Sequence, residues 1–205
     1  MSMKRLATLI LLAMLSAEAA FAKPSFYALR EHRSEDQGCP AGSYSITTAP
    51  DGSSISVLFD KFAVEGTDAN GGYARISCAM EIPLHLPEGY SLGVYKADYR
   101  GYARLEQRQR AELQVDYGIG ERNRGRRFRK EVKGVFDGDY AFSERLGGGF
   151  LKRVGCGDAA VLNFTASLTL VSKRGASSGR MVLDSVDGAP AGGLVFGLDL
   201  RKCGE

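Results

Sequence analysis

From Glu121 to Lys133 the chain reads ERNRGRRFRKEVK, with seven basic residues, two acidic ones and a local charge of +5. Guanidinium groups at this density form charge-assisted, often bidentate hydrogen bonds to phosphate or carboxylate. The chemistry on offer is contact with an anionic glycan, lipopolysaccharide or another envelope surface, through Arg122, Arg124, Arg126, Arg127, Arg129 and Lys130. Gly118, Gly120 and Gly125 make the run read as a hairpin tip, and Arg108 and Arg110 can add to it. A solvated loop whose charge serves solubility is the plainer alternative. Only Phe128 interleaves the run, so single-strand base stacking is poorly served and nucleic acid is not favoured.

A second constellation lies in YKADYRGYARLE, residues 95–106. Two-residue alternation puts Tyr95, Ala97, Tyr99, Gly101, Ala103 and Leu105 on a core side. Lys96, Asp98, Arg100, Tyr102 and Arg104 fall on the other. Asp98, Arg100 and Tyr102 could face a ligand as a polar row, or stand as a solvent ladder in which Asp98 and Arg100 pair. Gly101 marks a bulge or a close backbone approach.

Catalytic signatures are missing. His32 lies in an unpatterned stretch and His85 on the wet side of a strand. There is no G-x-S-x-G nucleophile turn and no H-E-x-x-H zinc motif. DGDY (Asp137, Asp139) and DSVDG (Asp184, Asp187) offer oxygens to calcium, yet neither is an EF-hand loop and Asp before Gly is first a turn signal. No catalytic residue, metal or cofactor is therefore assigned. A polysaccharide-active hydrolase using a pair of surface carboxylates stays as the alternative function. NFT at Asn163 matches a glycosylation sequon but lies in a strand pattern. The chain has no tryptophan, a favoured sugar-stacking surface, although nine tyrosines remain.

What must hold these residues is sheet. In ISCAMEIPLHL, AELQVDY, VLNFTASLTLV and LVFGLDLR apolar and polar residues alternate, giving one dry and one wet face. PDGSS, DANGG, PEG, DGD, GASSG and DGAPAGG separate such runs with hairpin residues. About ten antiparallel strands emerge. An all-β sandwich buries their dry faces, and a partly closed barrel would do so too.

The chain opens with a secretory address. Lys4 and Arg5 precede an apolar stretch from Leu6 to Leu15, too short to span a bilayer, and Ala20-Phe21-Ala22 fits signal peptidase. Residues 1–22 are thus read as a signal peptide, 23–38 as a flexible lead and 39–205 as a single all-β domain. Without the signal, 25 basic and 23 acidic residues leave a charge of only +2. No later run is long and apolar enough to span a membrane. Secretion or a periplasmic home follows, and there Cys39, Cys78, Cys156 and Cys203 read as two disulfides. A four-thiolate zinc site would show paired C-x2-C spacing, which is absent. Of three connectivities, an up-and-down start to the sheet leans towards Cys39–Cys78 with Cys156–Cys203. The oligomeric state is left open.

The segments GCPAGS, SISVLFDKF, ISCAMEIPLHLPEGY, ADYRGYARL, GDYAFSE, CGDAAVLNFTASLTL and LDLRKC, in this order, resemble an uncharacterised secreted family of bacteria and fungi, domain of unknown function 4360. The resemblance runs from about Gly38 to Cys203. It implies a secreted single domain with these four cysteines and no established activity. Relatives tend to carry a Ser/Thr/Gln-rich hairpin before GDY, where this chain carries arginines. The function that fits is a non-catalytic extracellular or envelope binding or structural domain with a cationic hairpin tip.

Overall fold

The computed structural model describes residues 27–28, 33–34, 38–66, 72–120, 125–147, 153–157, 159–176, 178–183 and 193–204. Its strands are β1 (Tyr27–Ala28), β2 (Arg33–Ser34), β3 (Tyr44–Thr48), β4 (Ser54–Phe59), β5 (Ala63–Gly66), β6 (Tyr73–His85) and β7 (Tyr90–Leu105). They continue with β8 (Gln109–Ile119), β9 (Arg126–Lys133), β10 (Phe136–Arg145), β11 (Val154–Gly155), β12 (Ala160–Ser172), β13 (Gly179–Val182) and β14 (Gly193–Lys202). The described residues contain no helix. Fourteen strands replace the expected ten because short pieces such as β1, β2 and β11 have no period to read. β1 and β2, within the stretch read as a lead, both pair with β6.

One sheet runs β1–β6–β12–β8–β9, with β2 also on β6. The other runs β3–β4–β14–β7–β13–β5, with β10 and β11 also on β7. The layers do not close on each other, so of the two architectures that alternation allows, the sandwich is the one observed. Each inner face supplies half the core. Met80, Ile82, Leu113, Val115, Phe164 and Leu168 come from the first sheet, and Ile55, Val57, Phe59, Tyr99, Leu194 and Phe196 from the second. Large apolar side chains buried this way each contribute about 1.5–3 kcal/mol.

β7 holds the second sheet together. β14 and β13 lie end to end along one edge, while β10 and β11 share the other. Its register with β14 slips where Gly197 faces Lys96 but Leu198 faces Val94, so Tyr95 is an extra residue. The parity of inward positions changes there, from Leu92 and Val94 to Ala97, Tyr99, Ala103 and Leu105. Tyr95, assigned to the core by uninterrupted alternation, is instead 46% exposed, with its ring against Gly197. The bulge is therefore at Tyr95. Gly101 is the close approach: a Cβ there would fall 1.9 Å from the Val182 carbonyl oxygen and 2.6 Å from Tyr140 Oη. Tyr140 donates to that carbonyl at 2.7 Å, across the space the glycine leaves empty.

All four cysteines are oxidised, as Cys39–Cys78 and Cys156–Cys203, which removes the zinc alternative. The first bond is buried, with Cys78 in the middle of β6, whereas Cys156 is exposed. Two such bonds match the oxidising conditions of a secreted or periplasmic compartment.

Candidate binding site

The arginine run is mostly strand. Arg126, Arg127, Arg129 and Lys130 lie on β9, an edge strand paired with β8, while Arg122 and Arg124 lie outside the described residues. Phe128 and Val132 point into the core and anchor the strand. On the outer face, the alternation of β9 meets acids from β8. Arg127 Nε contacts Asp116 Oδ1 at 2.5 Å and Arg129 Nε contacts Glu112 Oε2 at 2.8 Å. Arg110 and Lys133 both approach Glu131, at 3.7 and 3.4 Å. The contacts of Arg127 and Arg129 use Nε, at the base of the guanidinium, and the two side chains remain 68% and 64% exposed. Lys130 forms no ion pair among the described residues.

Arg126 points the other way and ties the sheets together. Its Nε donates to Glu144 Oε1 of β10 at 2.6 Å. The same carboxylate accepts from Tyr117 Oη at 3.3 Å. Behind it Tyr99 is fully buried and stacks on Phe128 at 4.0 Å between ring centres. The Tyr117 hydroxyl is near enough to act on Tyr99 electrostatically, yet no well-formed hydrogen bond joins them. Burial, reinforced by the Glu144 charge, holds both phenols well above the usual range.

The polar row occupies the outer face of β7. Asp98 is taken by Lys96 at 2.7 Å and by the Ser143 hydroxyl, rather than by Arg100. Tyr102 Oη donates to Asp137 at 2.5 Å, which raises the tyrosine's pKa. Arg100 is exposed between Gly193 and Ala141, and its side chain forms no hydrogen bond or ion pair among the described residues. The structure therefore keeps the three residues on one face but engages two of them internally. Among the calcium candidates, Asp137 is the tyrosine's acceptor, and Asp184 and Asp187 lie outside the described residues. Asn163 of the sequon donates its amide to the Gly120 carbonyl at 2.9 Å.

A cleft of about 320 Å3 opens at one end of the sandwich. Its floor is Leu84 and Ala160, which pair across β6 and β12, and its rim carries His85, Glu88 and Tyr90. One wall is the turn after β11, where Gly155, Cys156 and Gly157 all have left-handed φ values of 113°, 58° and 107°. For Cys156, which carries a Cβ, that conformation persists only when its surroundings fix it. Here Cys156 is bonded to Cys203, and its N–H donates to Tyr90 O at 3.1 Å. Arg153, just before β11, grips Ser91 and Asp199 with four hydrogen bonds of 2.8–3.1 Å. The cationic hairpin reaches the same end: Gly120, where β8 stops, donates to the Val161 carbonyl at 2.7 Å, one residue from the cleft floor. Sequence reading missed this cleft, since PEG and GCG register only as a turn and a cysteine.

Comparison with known proteins gives kinship and no activity. An uncharacterized secreted protein of Arthroderma benhamiae is 28% identical over 151 residues, 73% of this chain. The chain spans 62% of the length of that relative. Among solved structures, TmCBM61 in complex with β-1,4-galactotriose aligns over 84% of this chain and 89% of its own, with 12% identity and a TM-score of 0.30. The adhesin domain of Epf from Streptococcus pyogenes aligns over 88% of this chain and 56% of its own, with 13% identity and a TM-score of 0.22. Neither superposition is close enough to transfer a binding residue. The family model described as Domain of unknown function (DUF4360) matches residues 33–203, and the chain belongs to that family.

Proposed function

We propose that the protein is a non-catalytic extracellular or envelope β-domain that attaches to an anionic surface, acidic glycan or lipopolysaccharide, through the β8–β9 hairpin. The observation that carries this reading is where the charge sits. Residues 109–133 hold eight basic and four acidic residues, a net +4, against +3 for the whole chain. Arg127 and Arg129 stand two residues apart on one strand face, about 6.6–6.8 Å. Their carboxylate partners hold them at Nε and leave the outer Nη groups to meet an anion. A side chain already held in place loses less entropy on binding.

The test is retention on immobilised heparin, and co-sedimentation with phosphatidylglycerol vesicles, over a salt series. The wild type should elute at higher salt than the R127S/R129S/K130S variant, and binding should fall steeply as salt rises. Elution at the same low salt for both proteins would refute the reading.

A further inference from the structure

The cleft beside the hairpin has a different chemistry from the hairpin itself. Among the described residues its rim carries a carboxylate (Glu88), a phenol (Tyr90) and an imidazole (His85), and its floor and sides are aliphatic: Leu84, Pro87 and Ala160. A volume of about 320 Å3 lies at the lower end of the range for small-molecule sites, roughly 300–1,000 Å3. The wall formed by Cys156 is fixed by a disulfide and a backbone hydrogen bond, so the opening exists before any ligand arrives.

We propose that this cleft seats a single uncharged sugar ring, such as the exposed end of a polysaccharide. A hydroxyl group both donates and accepts, so neighbouring hydroxyls of one ring can donate a hydrogen bond to Glu88 and accept one from Tyr90. The C–H face of the ring matches the leucine, proline and alanine surface. An anionic ligand would meet the Glu88 charge at close range. A wholly apolar ligand would strip water from Glu88 and Tyr90 and offer them no partner. The inference shares an end of the sandwich with the proposed anionic contact but does not depend on it, because an uncharged sugar makes no salt-sensitive contact. A polysaccharide bound through both sites would be gripped along its chain by the hairpin and at its end by the cleft.

Saturation-transfer NMR on the full mature chain tests this, with the methyl glycosides of glucose, galactose, mannose and N-acetylglucosamine as probes. At least one should receive saturation at its ring C–H protons, in molar salt as well as in dilute buffer. The signal should drop severalfold in E88Q and in Y90F, and in A159F, which puts a ring into the opening. It should persist in R127S/R129S/K130S, which separates failure of this site from failure of the hairpin. Glu88 and Ala159 are exposed, and near-UV circular dichroism confirms that each variant keeps its fold. No transfer to any of the four probes would overturn the proposal. Equal transfer to wild type and all three cleft variants would also overturn it, since the sugar would then be bound elsewhere.

Discussion

Replacing Gly101 with alanine tests the packing of β7 directly. The new methyl would lie 1.9 Å from the Val182 carbonyl oxygen, more than an ångström inside the 3.0 Å that real Cβ atoms respect. That oxygen belongs to the backbone of β13, paired with both β7 and β5, so it cannot swing aside as a side chain would. The methyl would also meet Tyr140 Oη at 2.6 Å and displace the Tyr140–Val182 hydrogen bond. Overpacking costs about 1–3 kcal/mol, and a buried carbonyl stripped of its partner about 1–3 kcal/mol. Together, about 2–6 kcal/mol should disappear from a total of roughly 5–15 kcal/mol. At about 2–4 °C per kcal/mol for a chain of this size, Tm should fall by about 4–24 °C. Urea unfolding followed by circular dichroism measures it, with Y140F as the control that removes only the hydrogen bond, at about 1–2 kcal/mol. In the double variant the two losses should sum to less than their separate values, because both act on one carbonyl. An alanine variant as stable as the wild type would refute the close approach at Gly101.

Three further predictions concern charge, phenols and sulfur. Changing Arg127 or Arg129 to serine should cost less than about 1 kcal/mol of stability each in urea unfolding, since both pairs are largely exposed; any loss of anion binding would then be a surface effect. Tyr99, Tyr117 and Tyr140 are held above the ordinary phenol value near 10 chiefly by burial. The folded state therefore keeps protons that the unfolded chain releases, so stability is intact below about pH 10 and falls as pH rises beyond it. At pH 11 each of these three tyrosines should subtract up to about 1.4 kcal/mol, and their share of the phenolate absorbance should appear only with unfolding. Mild reductant should open Cys156–Cys203 before the buried Cys39–Cys78, as mass spectrometry after alkylation would show. With loops of 39 and 47 residues, each bond contributes about 4 kcal/mol in the chain-entropy model.

Alternation made the long strands legible. Cys78, Met80, Ile82 and Leu84 are buried as their spacing implies, and so are Leu162, Phe164, Ala166, Leu168 and Leu170. Parity fails once, at Tyr95, because a bulge is set by the partner strand and leaves no mark in the bulged sequence itself. The arginine cluster was legible as charge. That Arg127 and Arg129 face Asp116 and Glu112 was not, since it depends on the β8–β9 register. The cleft was invisible for a related reason. Its residues come from two distant connections, β6 to β7 and β11 to β12, that only the folded sandwich brings together.

The strand order has a consequence for assembly. β14 is the last of the strands in chain order, yet it lies in the middle of its sheet, between β4 and β7. A chain emerging from its amino end across a membrane exposes the open hydrogen-bonding edges of β4 and β7 until residues Gly193–Lys202 have crossed. The second layer is therefore incomplete until β14 is inserted between them. Partial products cut before Gly193 would carry two unsatisfied neighbouring edges and be prime substrates for chaperones, proteases or aggregation.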